Sequence, residues 1–462
     1  MATRPMAEAA RWMRGDLIQG DPASRWTGGA LDSRQVRGGE LFFALVGEST
    51  DGHRFVASAL AAGATAAVVH EAVDAPAIGA LVAVEDTYRA LHDLTRELRR
   101  HVPERLVGLT GSTGKTTTKE ILTALLSRRF RTAGSPGNLN NLYGFPLALM
   151  GIPDDTEWMV AEMGMSTPGE LAAVSRLGRP DVALLLNVRP VHLERLGSLD
   201  AVAEAKAEIL AGLAPDGVVV ANADDSRVRD IARRHAGRVV WFGRESAEAA
   251  YRVEGVAPRP EGLGTRFRLV TPEGEAPVEL PMHGAYNVEN FLAAAACAHE
   301  LGIPLDEIVA TAPTLEPIGG RGRILRLPGG VILVDDSYNS NPLALAGALE
   351  SARALPGARH LAVLGDMLEL GPEAERYHRE AGRAAAAAGF SLVVGVGELS
   401  RGLVDAVRDA GVPAHWIADA DAAAAWVPRR VAAGDVLLVK GSRGIGLERV
   451  VEALRRAPEG EA

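Results

Sequence analysis

A chain of 462 residues has room for two to four ordinary domains. Hydrophobic residues make up 47% and charged residues 23%, the balance of a folded globular protein, and a net charge of -10 with no Lys/Arg block argues against a nucleic-acid partner. The single cysteine, Cys297, excludes a disulfide framework or a cysteine-based metal cluster within the chain, and a small core residue is the reading its Ala-rich surroundings favour.

Residues 1–102 mix short strand-like runs (41–46, 66–69, 81–84) with Ala-rich helical stretches, and 88–101 reads as a helix that Pro103 ends. The first residues carry charges and no apolar signal core. From 103 to 312 the pattern becomes strand, glycine loop, helix, strand. The apolar run 106–110 leads into Gly111–Lys115 and a helical pattern over 116–130, with further buried strands expected at 158–163, 182–188 and 217–221. That alternation predicts a mostly parallel sheet covered on both faces. Residues 313–320, rich in Pro and Gly, read as a hinge. Beyond it, strands at 331–335, 360–364, 391–396, 415–417 and 436–439 alternate with helices, a second α/β unit of Rossmann-like order. The weakly polar stretch 384–397 is too short and too glycine-broken to span a bilayer. The expectation is an α/β protein of three domains, 1–102, 103–312 and 313–462, cytoplasmic and monomeric, with no membrane insertion.

The strongest single signal is Thr110-Gly111-Ser112-Thr113-Gly114-Lys115-Thr116-Thr117. A strand feeding a tight glycine turn and then a helix points backbone N–H groups inward, where they cradle a polyphosphate. Lys115 adds a point charge on the outer phosphates, and the Thr116 hydroxyl is placed to meet Mg²⁺. The commonest form of such loops has a glycine five positions before Gly114; here that position is Leu109. A chance glycine-rich turn is the competing reading, which the strand before and the helix after disfavour. ATP is the expected nucleotide, bound through Gly111, Ser112, Thr113, Gly114, Lys115, Thr116 and Thr117.

The motifs beyond the loop narrow the chemistry. In order come Asn138-Leu139-Asn140-Asn141, Ala161-Glu162-Met163-Gly164, Asn187-Val188-Arg189-Pro190-Val191-His192, Lys206 within a helical stretch at 200–210, and His283-Gly284-Ala285-Tyr286-Asn287-Val288-Glu289-Asn290. Then come Gly320-Arg321-Gly322-Arg323, Asp336-Ser337-Tyr338-Asn339-Ser340-Asn341, Gly365-Asp366-Met367-Leu368-Glu369-Leu370-Gly371 and Lys440-Gly441-Ser442-Arg443. This set, in this order, resembles the Mur ligases of peptidoglycan synthesis over nearly the whole chain. Asp32-Ser33-Arg34, Phe43-Ala44-Leu45 and Asp51-Gly52-His53 are similar to the uridine-nucleotide domain that two types of the family share. The Thr-Gly-Ser loop, Asp336-Ser337-Tyr338-Asn339 and Gly365–Gly371 resemble the type that adds D-alanyl-D-alanine. Tyr286 stands where His is usual, and Ser340 where Ala is usual.

The resemblance implies roles that the residues alone leave open. Glu162, in isolation a solvated strand-end carboxylate, is implied as a Mg²⁺ ligand together with Thr116. His192 and Lys206 are implied at a second Mg²⁺, Lys206 as a carbamate formed with CO₂. On its own pattern Lys206 reads as a solvated helix lysine near Glu204 or Glu208. Asn290 is implied at the adenine and Asn287 near the metal-phosphate region, though a helix cap is the bland reading of either. Arg321 is implied at the γ-phosphate, with Arg323 a possible substitute, and Asp336 at the ribose. Ser33 and Arg34 are implied at the uridine diphosphate, against a plain surface turn. Asn140, Asn141, Tyr338, Asn339 and Asn341 are implied to line the substrate cleft, against polar turns. Lys440 and Ser442 are expected near substrate or nucleotide.

The implied reaction converts the terminal carboxylate of UDP-N-acetylmuramoyl-tripeptide to an acyl phosphate at the expense of ATP, after which the amine of D-alanyl-D-alanine displaces phosphate. Closure about the Pro/Gly hinge is expected to exclude water. Two alternatives remain at this point: a family member adding the third amino acid instead, and a non-catalytic ATP-binding switch. A folylpolyglutamate- or cyanophycin-type ligase is disfavoured by the uridine-type N-terminal segment.

Overall fold

The computed structural model describes residues 3–191, 193–259 and 263–456. They form two compact units. One comprises the chain up to Thr110 with Leu126–Leu184 and Ala207–Val219; the other comprises Gly111–Leu125, Leu185–Lys206 and the chain from Val220 on. None of the described helices is long and apolar enough to cross a membrane.

The first unit opens with a five-stranded sheet in the order Asp16–Gln19, Ala80–Ala83, Ala66–Val69, Leu41–Phe43, Gly29–Ala30. All its pairs are parallel except the first. Phe42, Val56, Leu60 and Val69 fill one face. The helix Thr87–Arg99 starts where the Asp86 carboxylate accepts the Arg89 N–H, satisfying one of the donors a first turn leaves free. At its other end the Arg99 guanidinium donates to the carbonyls of Gly178, Pro103 and Arg179, which fixes the way into the next strand. That strand, Arg105–Thr110, pairs in parallel with Trp158–Glu162, and Thr132–Gly134 pairs on the far side of the latter. Leu106, Val107, Leu109 and Met159–Ala161 are wholly buried, as a sheet covered on both faces requires.

In the second unit the phosphate-loop helix Lys115–Leu126 is shorter than the expected 116–130. The stretch 200–210 divides into an α-helix, Leu199–Ala207, and a 3-10 segment, Glu208–Gly212. An antiparallel meander, Arg252–Pro258, Thr265–Thr271 and Gly274–Leu280, has no counterpart among the expected elements. It precedes the helix Ala285–Glu300, in which Cys297 is fully buried among alanines.

The C-terminal sheet runs Arg323–Leu327, Val331–Asp336, Val436–Lys440, His360–Gly365, Leu392–Val396, Ala414–Ile417. It is parallel apart from its first, antiparallel pair. Two apolar clusters, one containing Leu345, Leu349, Leu364 and Leu438, the other Leu333, Val363, Leu437 and Val450, form its core. The last strand in the chain is inserted between the second and the third of this domain, so Asp336 and Lys440 end up opposite each other at the carboxyl ends of adjacent strands. Open α/β sheets bind their ligands at such a switch in strand order.

Candidate active site

The phosphate loop is braced by the segment after the strand Val182–Leu185. Ser112 N and Thr113 N donate to Asn187 Oδ1 at 3.1 and 3.0 Å, Ser112 Oγ donates to the Arg189 carbonyl, and Arg189 N donates to Ser112 Oγ. Arg189 is held in turn by the Asp225 carboxylate at 3.0 Å. Lys115 curls back so that Nζ donates to the Gly111 carbonyl at 2.9 Å. Gly114 has a φ of +83°, a region L-residues avoid, and a Cβ there would collide with Asn290 Oδ1. Glycine is required twice over.

Asn290 and Asn287 lie inside the helix Ala285–Glu300 and cap nothing. Asn290 Oδ1 accepts from Thr118 Oγ1 at 3.4 Å, so this side chain seats the loop. Asn287 Nδ2 donates to the His283 carbonyl, while its Oδ1 is buried without a hydrogen-bond partner among the described residues. A buried carbonyl oxygen left over in this way is suited to a ligand's N–H or to a hard cation.

Lys206 corrects the plain reading of its sequence neighbourhood. It is not solvated but 4% exposed. Neither expected partner serves it. Glu204 forms a bidentate pair with Arg234, and Glu208, in the other unit, accepts the N–H groups of Gly169 and Ala172. Burial, and then the like charge of Lys115, push the Lys206 amine well below the ordinary lysine range, which favours a neutral nucleophile. His192 lies outside the described residues.

In the first unit Glu162 ends its strand 4% exposed, opposite Leu109 in the register. Its Oε1 accepts from Asn140 Nδ2 at 2.9 Å, and its backbone N–H donates to Ser135 Oγ. Asn140 also accepts the Gly164 N–H through its carbonyl, so one residue fixes both the carboxylate and the turn after it. Asn141 acts elsewhere, its Oδ1 accepting the N–H groups of Tyr143 and Gly144 at the start of the helix Gly144–Met150. Ser33 and Arg34 form a surface 3-10 turn capped by Asp32, whose carboxylate the exposed Arg34 guanidinium grips at 2.7 Å.

The C-terminal residues gather at the switch in strand order. Lys440 Nζ, buried, donates to Asp336 Oδ2 at 2.7 Å and to the Asn339 carbonyl at 2.9 Å. Burial pushes the Asp336 carboxyl above its ordinary range, and Lys440 pulls the other way. Gly320 and Gly322, both at φ +73°, flank Arg321. Gly320 N–H donates to Asp335 Oδ2, and Tyr338 N–H donates to the Gly320 carbonyl. Arg321 thereby lies over the Tyr338 ring, 3.9 Å from its centroid. Arg323 instead is exposed on the edge strand, opposite Asp335. Asn341 caps the helix Pro342–Arg353 by accepting the Ala344 N–H, and Asn339 Oδ1 accepts the Ser340 N–H. Tyr286, the departure from the usual His, abuts Gly322, where a Cβ would collide with its hydroxyl.

Among the described residues no three His, Cys, Asp or Glu side chains converge as a metal cage. In the second unit the Thr116 hydroxyl and the Asn287 side-chain carbonyl, and in the first unit the Glu162 carboxylate, are each hard oxygens of the kind that meet Mg²⁺ when phosphate and water complete its shell.

Three family models cover most of the chain. Residues 27–99 match "Mur ligase family, catalytic domain", 109–298 match "Mur ligase middle domain", and 320–443 match "Mur ligase, glutamate ligase domain". The chain is 39% identical over 427 residues, 92% of each partner, to the UDP-N-acetylmuramoyl-tripeptide–D-alanyl-D-alanine ligase of Escherichia coli (strain K12). It belongs to the Mur ligase family. Among solved structures this Mur ligase superposes on MurF from Acinetobacter baumannii with a TM-score of 0.88, 29% identity, and coverage of 99% and 100% of the two chains. MurF from Thermotoga maritima in complex with ADP gives 0.81 and 30%, covering 93% and 97%.

Within this Mur ligase the loop, Asn287, Asn290 and Lys206 share one unit with the Arg321, Asp336, Tyr338 and Lys440 group. Two expected cleft residues have their side-chain carbonyls committed to backbone N–H groups, Asn141 to Tyr143 and Gly144 and Asn341 to the helix it caps. Sequence reasoning assigned nothing to Asn187 or Asp366 and only a general proximity to Ser442, yet all three position their neighbours. Asn187 carried a signal, since it sits just beyond a buried strand and opens the motif Asn187-Val188-Arg189-Pro190.

Proposed function

We propose that this chain is an ATP-dependent amide ligase that adds D-alanyl-D-alanine to UDP-N-acetylmuramoyl-tripeptide through an acyl phosphate, in peptidoglycan precursor synthesis. The observation that carries this reading is the match to the Escherichia coli ligase of that name over 92% of both chains. The ADP-bound neighbour supports ATP as the phosphoryl donor.

The roles assigned to the residues follow from their chemistry. The amides of Gly111–Gly114 and the Lys115 ammonium hold the phosphates of ATP. Thr116 and Glu162 would each offer an oxygen to a first Mg²⁺. His192 and Lys206, once the neutral amine has added to CO₂ and released a proton, would offer donors to a second. When bound, the two ions neutralise charge that builds on the transferring phosphoryl group. Carbamylation also removes a local conflict, because it replaces an amine that Lys115 repels when protonated with an anion that Lys115 attracts. Asn290 keeps the loop in shape and contacts the adenine, Asn287 offers its free carbonyl to the metal-phosphate region, Asp336 binds the ribose and Arg321 the γ-phosphate.

The tripeptide carboxylate attacks the γ-phosphorus; an oxygen–phosphorus bond forms and the bond to ADP breaks. The acceptor amine then attacks the activated carbonyl carbon, the carbon–nitrogen bond forms, and phosphate leaves with the former carboxylate oxygen. Ser33 and Arg34 meet the uridine diphosphate. We assign residues 1–102 to that substrate, 103–312 to ATP and 313–462 to the ligase lobe; the extents of the three family models support these limits. The protein acts as a monomer in the cytoplasm, where ATP is available.

Heavy oxygen placed in the tripeptide carboxylate tests the route. Transfer of one labelled oxygen to the released phosphate is expected. Label retained wholly in the peptide product would rule out an acyl phosphate.

A further inference from the structure

Ligation needs an acceptor that is held while its amine meets the acyl phosphate, and none of the roles assigned so far belongs to the acceptor. One exposed cation at the switch in strand order is also without a role. Arg443 opens the 3-10 turn Arg443–Ile445, separated by two residues from the strand Val436–Lys440, and its guanidinium stands 5.4 Å from the centroid of the Tyr338 ring, the ring that Arg321 covers at 3.9 Å. Its side chain is 63% exposed, and its ion-pair partner is Glu448 at 3.4 Å, a solvent-screened contact that another carboxylate can replace at little cost.

The backbone beneath Arg443 is fixed. Ser442 N–H donates to the Asp366 carbonyl at 3.0 Å, and Leu368 N–H donates to Ser442 Oγ at 2.9 Å. Asp366 is itself anchored by the N–H groups of Leu399 and Ser400 and by Ser400 Oγ, and Met367 N–H donates to His378 Nε2. The turn at 441–444 and the loop at 366–370 are therefore one braced piece. Its outer surface carries an exposed apolar side chain, Leu368, which is 40% accessible and close enough to Gly444 that a Cβ there would crowd it. The next residue, Glu369, is held at φ +64°, a conformation that non-glycine residues rarely adopt. Strain of that kind persists where a loop's shape is needed.

The chemistry of the acceptor fits this piece. D-Alanyl-D-alanine is a short chain with one amine, two methyl groups and one carboxylate. Two residues span at most about 7 Å from end to end. If its amine meets the phosphate side, where Arg321 is assigned, its carboxylate falls within one aromatic ring's reach, and Arg443 shares that ring. Of the neighbouring cations, Lys440 is buried on Asp336 and the Asn339 carbonyl, and Arg323 is exposed on the edge strand, opposite Asp335.

We propose that Arg443 and Leu368 form the acceptor subsite, Arg443 taking the C-terminal carboxylate of the dipeptide and Leu368 covering a methyl group. This deepens the proposed function and rests on it.

The test compares wild type, Arg443→Ala and Arg443→Lys with D-alanyl-D-alanine and with its C-terminal amide. A lost charge-assisted contact predicts a dipeptide KM about 10- to 100-fold higher in Arg443→Ala, with the KM values for ATP and the UDP-substrate within about twofold. Wild type should discriminate against the amide by a similar factor, Arg443→Ala should treat acid and amide alike, and Arg443→Lys should fall between, since an ammonium keeps the charge but not the two-pronged geometry. An unchanged dipeptide KM in Arg443→Ala, undiminished preference for the acid, or a parallel rise in all three KM values overturns the subsite. Failure of the wild type itself to ligate D-alanyl-D-alanine would sink the proposed function, and the subsite with it.

Discussion

Replacing Gly114 with alanine perturbs the loop in two separable ways. The residue sits at φ +83°, and holding an L-residue there costs about 1–2 kcal/mol. The new methyl also meets Asn290 Oδ1, a buried group on a packed helix that cannot simply swing away. Overpacking of that sort costs about 1–3 kcal/mol, and displacing Asn290 forfeits its bond from Thr118, about 1 kcal/mol more. The expected loss is about 3–6 kcal/mol. Gly411→Ala supplies the control, because Gly411 has a φ of +78° with nothing within 4 Å of a built Cβ, so only the backbone cost of about 1–2 kcal/mol applies. Urea denaturation with and without Mg·ATP reads both effects. At a hundredfold excess over Kd the nucleotide should stabilise wild type and Gly411→Ala by about 2.7 kcal/mol, and Gly114→Ala hardly at all. Adding Asn290→Ala to Gly114→Ala should recover part of the stability but not the nucleotide effect. Equal midpoints and equal ATP stabilisation in Gly114→Ala and Gly411→Ala would refute the packing of Asn290 against the loop.

Lys206→Met should lower kcat about 10- to 100-fold or more, and stripping CO₂ from wild type should mimic it reversibly, with labelled bicarbonate appearing on Lys206 by mass spectrometry. In CO₂-free buffer the unfolded chain binds a proton that the folded Lys206 refuses. Wild-type stability should therefore rise relative to Lys206→Met as pH climbs from the lowered pKa towards 10.5, and Lys206→Met should be the more stable at neutral pH. Asp336→Asn leaves Lys440 buried without its carboxylate and should cost about 3–5 kcal/mol, whereas Asp336→Asn with Lys440→Met should cost less than Asp336→Asn alone; denaturation midpoints of the cycle decide it. Arg34→Ala, at an exposed position, should raise KM for the UDP-substrate while leaving the melting temperature within about 1 °C and the KM for ATP unchanged.

The buried strands were legible because sheets covered on both faces demand unbroken apolar runs. The run 66–69 is a strand to the residue, and 106–110 gains only Arg105. The meander escaped notice because Thr265–Thr271 alternates Arg with Phe and Leu, and its charged outward positions make the stretch read as surface chain. The edge strand Arg323–Leu327 was hidden in the same way behind a hinge-like segment. Among site residues, the phosphate loop announced itself through local order, strand to glycine to helix. Lys206 did not. Its helical stretch Leu199–Ala207 has acidic side chains close by in sequence, and only the packing around it reveals burial beside another cation. Asn141 and Asn341 show the reverse: each precedes a helix start, so the plain polar-turn reading described their geometry, and the resemblance had drawn attention to a different use.

The most direct test of the account measures phosphate release from Mg·ATP with two substrate pairs, UDP-N-acetylmuramoyl-tripeptide with D-alanyl-D-alanine, and UDP-N-acetylmuramoyl-dipeptide with free amino acids. Sustained release that requires both partners of the first pair, and none with the second, is the expected result. Release confined to the second pair, or release indifferent to any acceptor, would contradict it.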